Sequence, residues 1–346
     1  MRNIMSNFQI GETATGWNRH GSGHINDTYL IDTDGEKRYI LQCVNRSVFP
    51  DISALMENIV AVTEYLRSRT DDPRRTMTVV PTAEGGWYYE APDGNCWRVL
   101  DFIEDCLCLE QAENAGDFYE CGVAFGGFQQ SLADFPAETL HEVIPNFHNT
   151  VSRYEKLKAA VRADTMGRAA SVRREIDFAM AREEMGGTLQ RMREAEALPL
   201  RVTHNDTKIN NVLLDSVTRK PLCVVDLDTV MPGLAAYDFG DSIRFGAATA
   251  PEDERNLGKV RMDISLYRAY AEGYLSACSR LTQEEMQSLP LGAKIMTLEC
   301  GVRFLTDYLE GDHYFKISRE GQNLDRCRTQ FKLVEEMEDQ WEEMRL

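Results

Sequence analysis

The sequence predicts a two-lobed α+β protein, with a small β-rich lobe leading into a larger, mainly helical one. Three observations carry that expectation. The chain has 346 residues, which at roughly 150 per domain suits two domains or lobes. Its first hundred residues read as short β-prone runs punctuated by turns. From Asp117 onward the apolar residues recur at three-to-four spacing, interrupted once between Leu200 and Asp228.

Taken in order, residues 28–31 and 38–41 flank the turn Asp32-Thr-Asp-Gly35 and predict a hairpin. Leu55, Ile59, Val62 and Leu66 then place a helix over about 52–69. Strands follow at 77–81, 86–90 and 96–103, with Pro92-Asp-Gly94 as the turn between the last two. Helices are predicted over 118–135, 144–157 and 171–197, then again from about Glu252 to the acidic amphipathic stretch 333–344. The boundary falls near 102–110, dividing the chain into a β-rich lobe over 1–102 and a helical lobe over 103–346.

Composition bounds what such a chain can do. Lys and Arg number 38 against 56 Asp and Glu, a net charge of −18, with 43% hydrophobic and 27% charged residues. That is a globular balance. It argues against a nucleic-acid partner or an anionic membrane surface, both of which need basic residues. A small anionic ligand stays allowed, because a local pocket can oppose the global sign. No apolar run reaches the roughly 18 residues of a membrane span, and residues 1–16 lack a signal-peptide layout. Nine scattered cysteines without a C-x-x-C pair fit neither a zinc ribbon nor a disulfide framework. A reduced, cytoplasmic enzyme is the expectation. His141, His148 and His313 stand isolated, so no histidine metal site is expected.

The most informative segment is Arg201-Val-Thr-His-Asn-Asp-Thr-Lys-Ile-Asn-Asn-Val-Leu-Leu-Asp215, which reads strand, polar loop, strand. The spacing His204-x-Asp206-x-x-x-x-Asn211 matches what phosphoryl transfer requires: an Asp to accept the attacking hydroxyl's proton and an amide oxygen to hold a metal ion. Lys208 can oppose charge on the phosphoryl group in flight. Next, the apolar run 221–225 ends in Asp226, where a metal-binding carboxylate projects from a rigid strand end. A hairpin between these strands lets Asn211 and Asp226 share one Mg²⁺. Asp228 either faces the same site or points away. Asp238-Phe-Gly240 spells a kinase metal-binding tripeptide, but no buried strand precedes it. Its expected job is structural, a carboxylate bonding loop backbone, with Asp241 starting the next helix.

These segments, together with residues 21–30, 38–42, 226–233, 237–245, 299–304 and 307–312, resemble the aminoglycoside phosphotransferase-like kinases. That family is a small-molecule branch of the protein-kinase-like fold. The later segments resemble its branch that phosphorylates N-acetylhexosamines at C1. The resemblance implies ATP and Mg²⁺ as cofactors, Asp206 as base at the sugar C1 hydroxyl, and Asn211 with Asp226 on the metal. It implies that Gly21, Ser22 and Gly23 lie over the ATP phosphates, and that Asp101, Phe102 and Ile103 bond adenine through backbone atoms. His24 and Asn26 either reach the phosphate or sugar side or support the hairpin. For the sugar it points to Arg303 and Tyr314, with Phe245 as an apolar wall. Arg303 has an alternative, since Glu299 and Asp307 lie one helical turn away and invite ion pairs.

One departure stands out. The broad kinase pattern expects lysine where this chain has Gln42, and no partner glutamate is evident beyond Glu57. The implied function is ATP- and Mg²⁺-dependent transfer to the C1 hydroxyl of N-acetylglucosamine or N-acetylgalactosamine. Alternatives are a kinase of the same fold acting on homoserine, an amino alcohol or an aminoglycoside, a nucleotide-binding regulator without turnover, or a metal-dependent phosphohydrolase.

Overall fold

The computed structural model describes residues 1–21 and 25–346. After a short helix α1 (Arg2–Met5), the N-terminal region is an antiparallel sheet of β1 (Ala14–Arg19), β2 (Asp27–Thr33), β3 (Tyr39–Val44), β4 (Val79–Val80), β5 (Tyr89–Glu90) and β6 (Cys96–Asp101). The strand order is β1-β2-β3-β6, with β4 and β5 both pairing along the far edge of β6. Helix α2 (Ile52–Arg67) crosses between β3 and β4, started by Asp51, whose side chain accepts the Ala54 N–H at 3.0 Å.

Alternation along the strands gives this sheet two covered faces. Ile31, Leu41 and Val99 bury against Met5 and Phe8. Val44, Cys96 and Leu100 point the other way, against Leu55, Met56 and Ile59 of α2. Arg98 lies between Cys96 and Leu100 on this second face, only 1% exposed, and its register partner on β3 is Gln42. A guanidinium in that setting requires partners.

The larger region opens with β7 (Cys106–Cys108) and α3 (Ala115–Ser131), followed by α4 (Thr150–Ala163). The stretch 171–197, whose periodicity suggests one helix, is three: α5 (Arg173–Met180), α6 (Glu183–Gly186) and α7 (Thr188–Glu194). The adjacent Gly186 and Gly187 weaken the helix there, and a Cβ on Gly186 would meet the Tyr154 ring at 2.9 Å. The β interlude comprises β8 (Arg201–Thr203), β9 (Val212–Asp215), β10 (Pro221–Val224) and β11 (Met231–Gly233), paired as β10-β9-β7 and β11-β8.

Helices α8 (Ala235–Gly246), α9 (Ile264–Ala277), α10 (Gln283–Glu310), α11 (Gln322–Asp339) and α12 (Trp341–Met344) complete the chain. Asp238 and Asp241 both lie within α8, which begins at Ala235, so Asp241 does not start the helix as expected. The long α10 is opened by a reciprocal Thr282–Glu285 capping box and stopped by Gly311 at φ 109°. It packs against α4, α8 and α11. The α8–α10 crossing is close enough that a Cβ on Gly240 would lie 2.4 Å from the Gly292 carbonyl oxygen. Among the described residues, no helix is long and apolar enough to cross a membrane.

Candidate active site

The site is built on the short β8–β11 pair and the β9–β10 hairpin. Between β8 and β9 the backbone turns through Asn205 in the left-handed region, φ 65°, into the 3-10 turn Ile209–Asn211. Asn205 sustains that conformation by donating its amide to the Thr203 and Thr229 carbonyls, at 3.2 and 2.8 Å. His204 is fully buried, its Nε2 2.8 Å from the Val225 carbonyl and its ring edge-on to Phe125 and Phe128. From below, Asp238 accepts the backbone N–H groups of His204 and Asn205, both at 2.8 Å, and Asp241 accepts that of Thr207 at 3.0 Å. The tripeptide beginning at Asp238 is thus a buried seat for the loop. One turn of α8 separates Asp238 from Asp241, and that spacing was the available sequence signal.

On this seat the loop gathers its polar side chains. Lys208 Nζ lies 2.9 Å from Asp206 Oδ1 and 3.3 Å from Oδ2. Asn211 donates its Nδ2 to the Asp206 carbonyl at 2.7 Å and to Oδ2 at 3.4 Å. Burial works against the Lys208 charge, but the Asp206 carboxylate outweighs it and raises the amine's pKa. The backbone of Asn211 also accepts the Val225 N–H at 2.9 Å, so Asn211 and Asp226 sit side by side at the hairpin end.

Asp226 adopts the left-handed region, φ 62° and ψ 57°, at the entry to the 3-10 turn Leu227–Thr229. By surface area it is exposed, yet dense protein closes around its other sides. That enclosure, followed by the Asp228 and Asp206 carboxylates, pushes its pKa up to about 6. Among the described residues nothing hydrogen-bonds the Asp226 carboxylate or Asn211 Oδ1. Two unengaged hard oxygen donors beside a proton acceptor fit Mg²⁺, which takes one or two protein oxygens and completes its shell with phosphate and water. Asp228 turns inward, 2.6 Å from the Arg98 guanidinium and accepting the Asn26 amide at 2.6 Å. Asn26 therefore braces this turn, its Oδ1 also accepting the Asn45 N–H at 3.0 Å.

At the hinge, the Asp101 and Phe102 N–H groups are already bonded to the Thr78 and Arg38 carbonyls, at 3.0 and 3.1 Å. The Ile103 N–H has no partner among the described residues and is the donor left for a ligand. The Arg38 guanidinium lies 4.4 Å over the Phe102 ring. Gly21 takes a positive φ of 75°, and a Cβ there would meet none of the described residues within 4 Å. Ser22, Gly23 and His24 lie outside the described residues. Glu57 is no partner for Gln42: it bonds His141 at 2.8 Å and Ser53 at 3.0 Å.

On α10, Arg303 makes no ion pair with Glu299 or Asp307. Glu299 is occupied by His148 and Thr150, at 3.1 and 2.6 Å. Asp307 accepts the N–H groups of His313, Tyr314 and Phe315 and thereby holds the Tyr314 segment. Arg303 instead sits 5.6, 5.8 and 5.4 Å from the Phe147, Tyr314 and Phe315 ring centroids. Tyr314 is 68% and Phe245 38% exposed, so neither is core filler. Arg153, missed in the sequence, joins this corner; burial, then the Arg303 charge, lowers its pKa. Arg303 does not touch Asp206. On the loop side, Asp241 bonds both the Thr207 N–H, at 3.0 Å, and the Arg244 guanidinium, at 2.9 Å.

This geometry coincides with a family match over residues 16–281, to the phosphotransferase enzyme family (APH). The chain belongs to that family. Solved structures share its fold at low identity. A microcompartment-associated aminopropanol kinase is 16% identical with a TM-score of 0.61, covering 100% of this chain and 98% of its own. An aminoglycoside phosphotransferase from Alicyclobacillus acidocaldarius subsp. acidocaldarius DSM 446 is 13% identical with a TM-score of 0.63, covering 99% and 96%. The amicoumacin kinase hAmiN, solved with AMP-PNP, Ca²⁺ and Ami, is 13% identical with a TM-score of 0.61, covering 98% and 91%. The phosphotransferase expectation and the α+β kinase-like fold both stand.

Proposed function

We propose that this phosphotransferase is an ATP- and Mg²⁺-dependent kinase of a neutral sugar, transferring phosphate directly to the C1 hydroxyl of N-acetylglucosamine or N-acetylgalactosamine. The observation that carries the neutral acceptor is Arg303, a guanidinium without an ion pair among the described residues and set near three aromatic rings, with Arg153 beside it. Two cations repel an amine acceptor. A guanidinium fork suits adjacent hydroxyls and an aromatic face suits a sugar's C–H surface. The residue pattern over 237–245 and 299–312 supports the hexosamine branch.

In this reading Asp206 takes the C1 hydroxyl proton on its carboxylate. Lys208, its amine 2.9 Å from that carboxylate, opposes charge on the phosphoryl group during transfer. Magnesium, when bound, neutralises phosphate charge, and Asn211 and Asp226 are the residues that would hold it. Ile103 N–H and the turn at Gly21 serve the nucleotide, and the buried seat of Asp238 and Asp241 keeps the loop rigid while it acts.

The test is ADP release with Mg-ATP across N-acetylhexosamines, simple hexoses, homoserine, an amino alcohol and kanamycin. Turnover confined to the hexosamines and yielding the 1-phosphate is expected. Asp206→Asn should lower kcat by roughly 10²–10⁴-fold while still binding nucleotide. Turnover on an amine-bearing acceptor instead would sink the substrate assignment and leave the phosphotransferase intact.

A further inference from the structure

Gln42 stands where kinases of this fold place a lysine, yet the position is not without a cation. Directly opposite it in the β3–β6 register is Arg98, 1% exposed. Arg98 Nε donates to Gln42 Oε1 at 2.9 Å, and Gln42 Nε2 in turn donates to Thr28 Oγ1 at 3.1 Å. The glutamine thus acts as a bracket that aims the guanidinium. The other end of Arg98 lies 2.6 Å from Asp228 Oδ1, in the turn that carries Asp226. Despite that close approach, Asp228 Oδ1 forms no hydrogen bond among the described residues. Among the described residues, the third nitrogen meets the Met56 sulfur alone, at 3.9 Å.

Burying such a pair often gains nothing over apolar packing of the same volume. Stability therefore does not account for it. What the pair does is join the N-terminal sheet, through three adjacent strands, to the residue two positions beyond a metal-binding carboxylate. We propose that Arg98 is a positioning residue: from the strand beside Gln42 it supplies the cation-to-acid tie between the lobes, holding the Asp226–Asp228 turn in the geometry that receives metal-bound nucleotide.

The inference rests on the nucleotide and metal reading above, and binding rather than turnover separates the two. Calorimetric titration of the full chain with ATP, once in EDTA and once in Mg²⁺, gives the factor by which the metal tightens binding. Arg98→Lys and Asp228→Asn should each reduce that factor by roughly 10–100-fold, as loss of outer-shell support does, while affinity in EDTA stays as in the wild type. Arg98→Met leaves Asp228 buried and unpaired, so its melting temperature should fall. Arg98→Met combined with Asp228→Asn should recover much of that fall without recovering the metal effect. A metal effect that all variants retain would overturn the inference alone, and so would a double variant in which it returns together with stability. Equal losses in EDTA and Mg²⁺ would overturn it too, making Arg98 a direct phosphate contact. Absence of any metal effect in the wild-type chain would take down both this inference and the reading beneath it.

Discussion

At the scale of single residues, the loop is held by buried carboxylates that bond its backbone. Asp238 accepts the backbone N–H groups of His204 and Asn205 and the Gln129 amide. An asparagine there has one oxygen to offer where two are used, and turns its own N–H groups toward donors. Asp238→Asn should therefore lose about 1–3 kcal/mol in denaturant unfolding, and kcat should drop by up to about 10²-fold as the loop loosens. Glu299 does similar work beside Arg303. Burial alone would raise its carboxyl, but His148, then Arg303 and Thr150, outweigh burial and hold it below the ordinary value. A depressed carboxyl contributes stability above its unfolded pKa and loses it as pH falls through the folded one. The melting-temperature advantage of wild type over Glu299→Gln should thus be full at neutral pH. It should shrink below pH 4.5, the ordinary glutamate value, and disappear in stronger acid; paired melts across that range test the sign.

At the scale of elements, the large lobe depends on helices that approach at glycines. A Cβ on Gly126 of α3 would lie 2.3 Å from the Tyr274 carbonyl oxygen on α9, whereas a Cβ on Gly127 would meet nothing within 4 Å. Gly126→Ala should consequently cost about 1–3 kcal/mol or more by forcing the helices apart. Gly127→Ala should gain up to about 1 kcal/mol from helix propensity alone. Equal effects in equilibrium unfolding would contradict the crossing. The same scale explains why periodicity misreads 171–197: the fit of Gly186 against Tyr154, from a distant helix, shows where the chain turns.

At the scale of the whole molecule, nucleotide and metal are expected to bind where the two lobes meet, through groups from both. Mg-ATP at about 100 times its dissociation constant should stabilise the fold by about 2.7 kcal/mol, seen as a higher melting temperature. ATP with EDTA should give less, and no shift in either condition would count against the nucleotide site.

The sequence by itself determined the partition into a β-rich and a helical region, because strand and helix periods are local. It also brought Asp206, Lys208 and Asn211 within one short loop, because six residues of chain cannot separate them far. Tertiary structure alone decided the rest. Whether Asp228 faces the side of Asp226 and Asn211 or turns inward depends on Arg98, some 130 residues earlier along the chain. Whether Arg303 spends its charge on Glu299 depends on His148 and Thr150 claiming that carboxylate first. The loop's seat in α8 likewise comes from a distant segment. Each is a competition for a buried charge between partners far apart in sequence, and only the folded chain sets which partner is near enough to win.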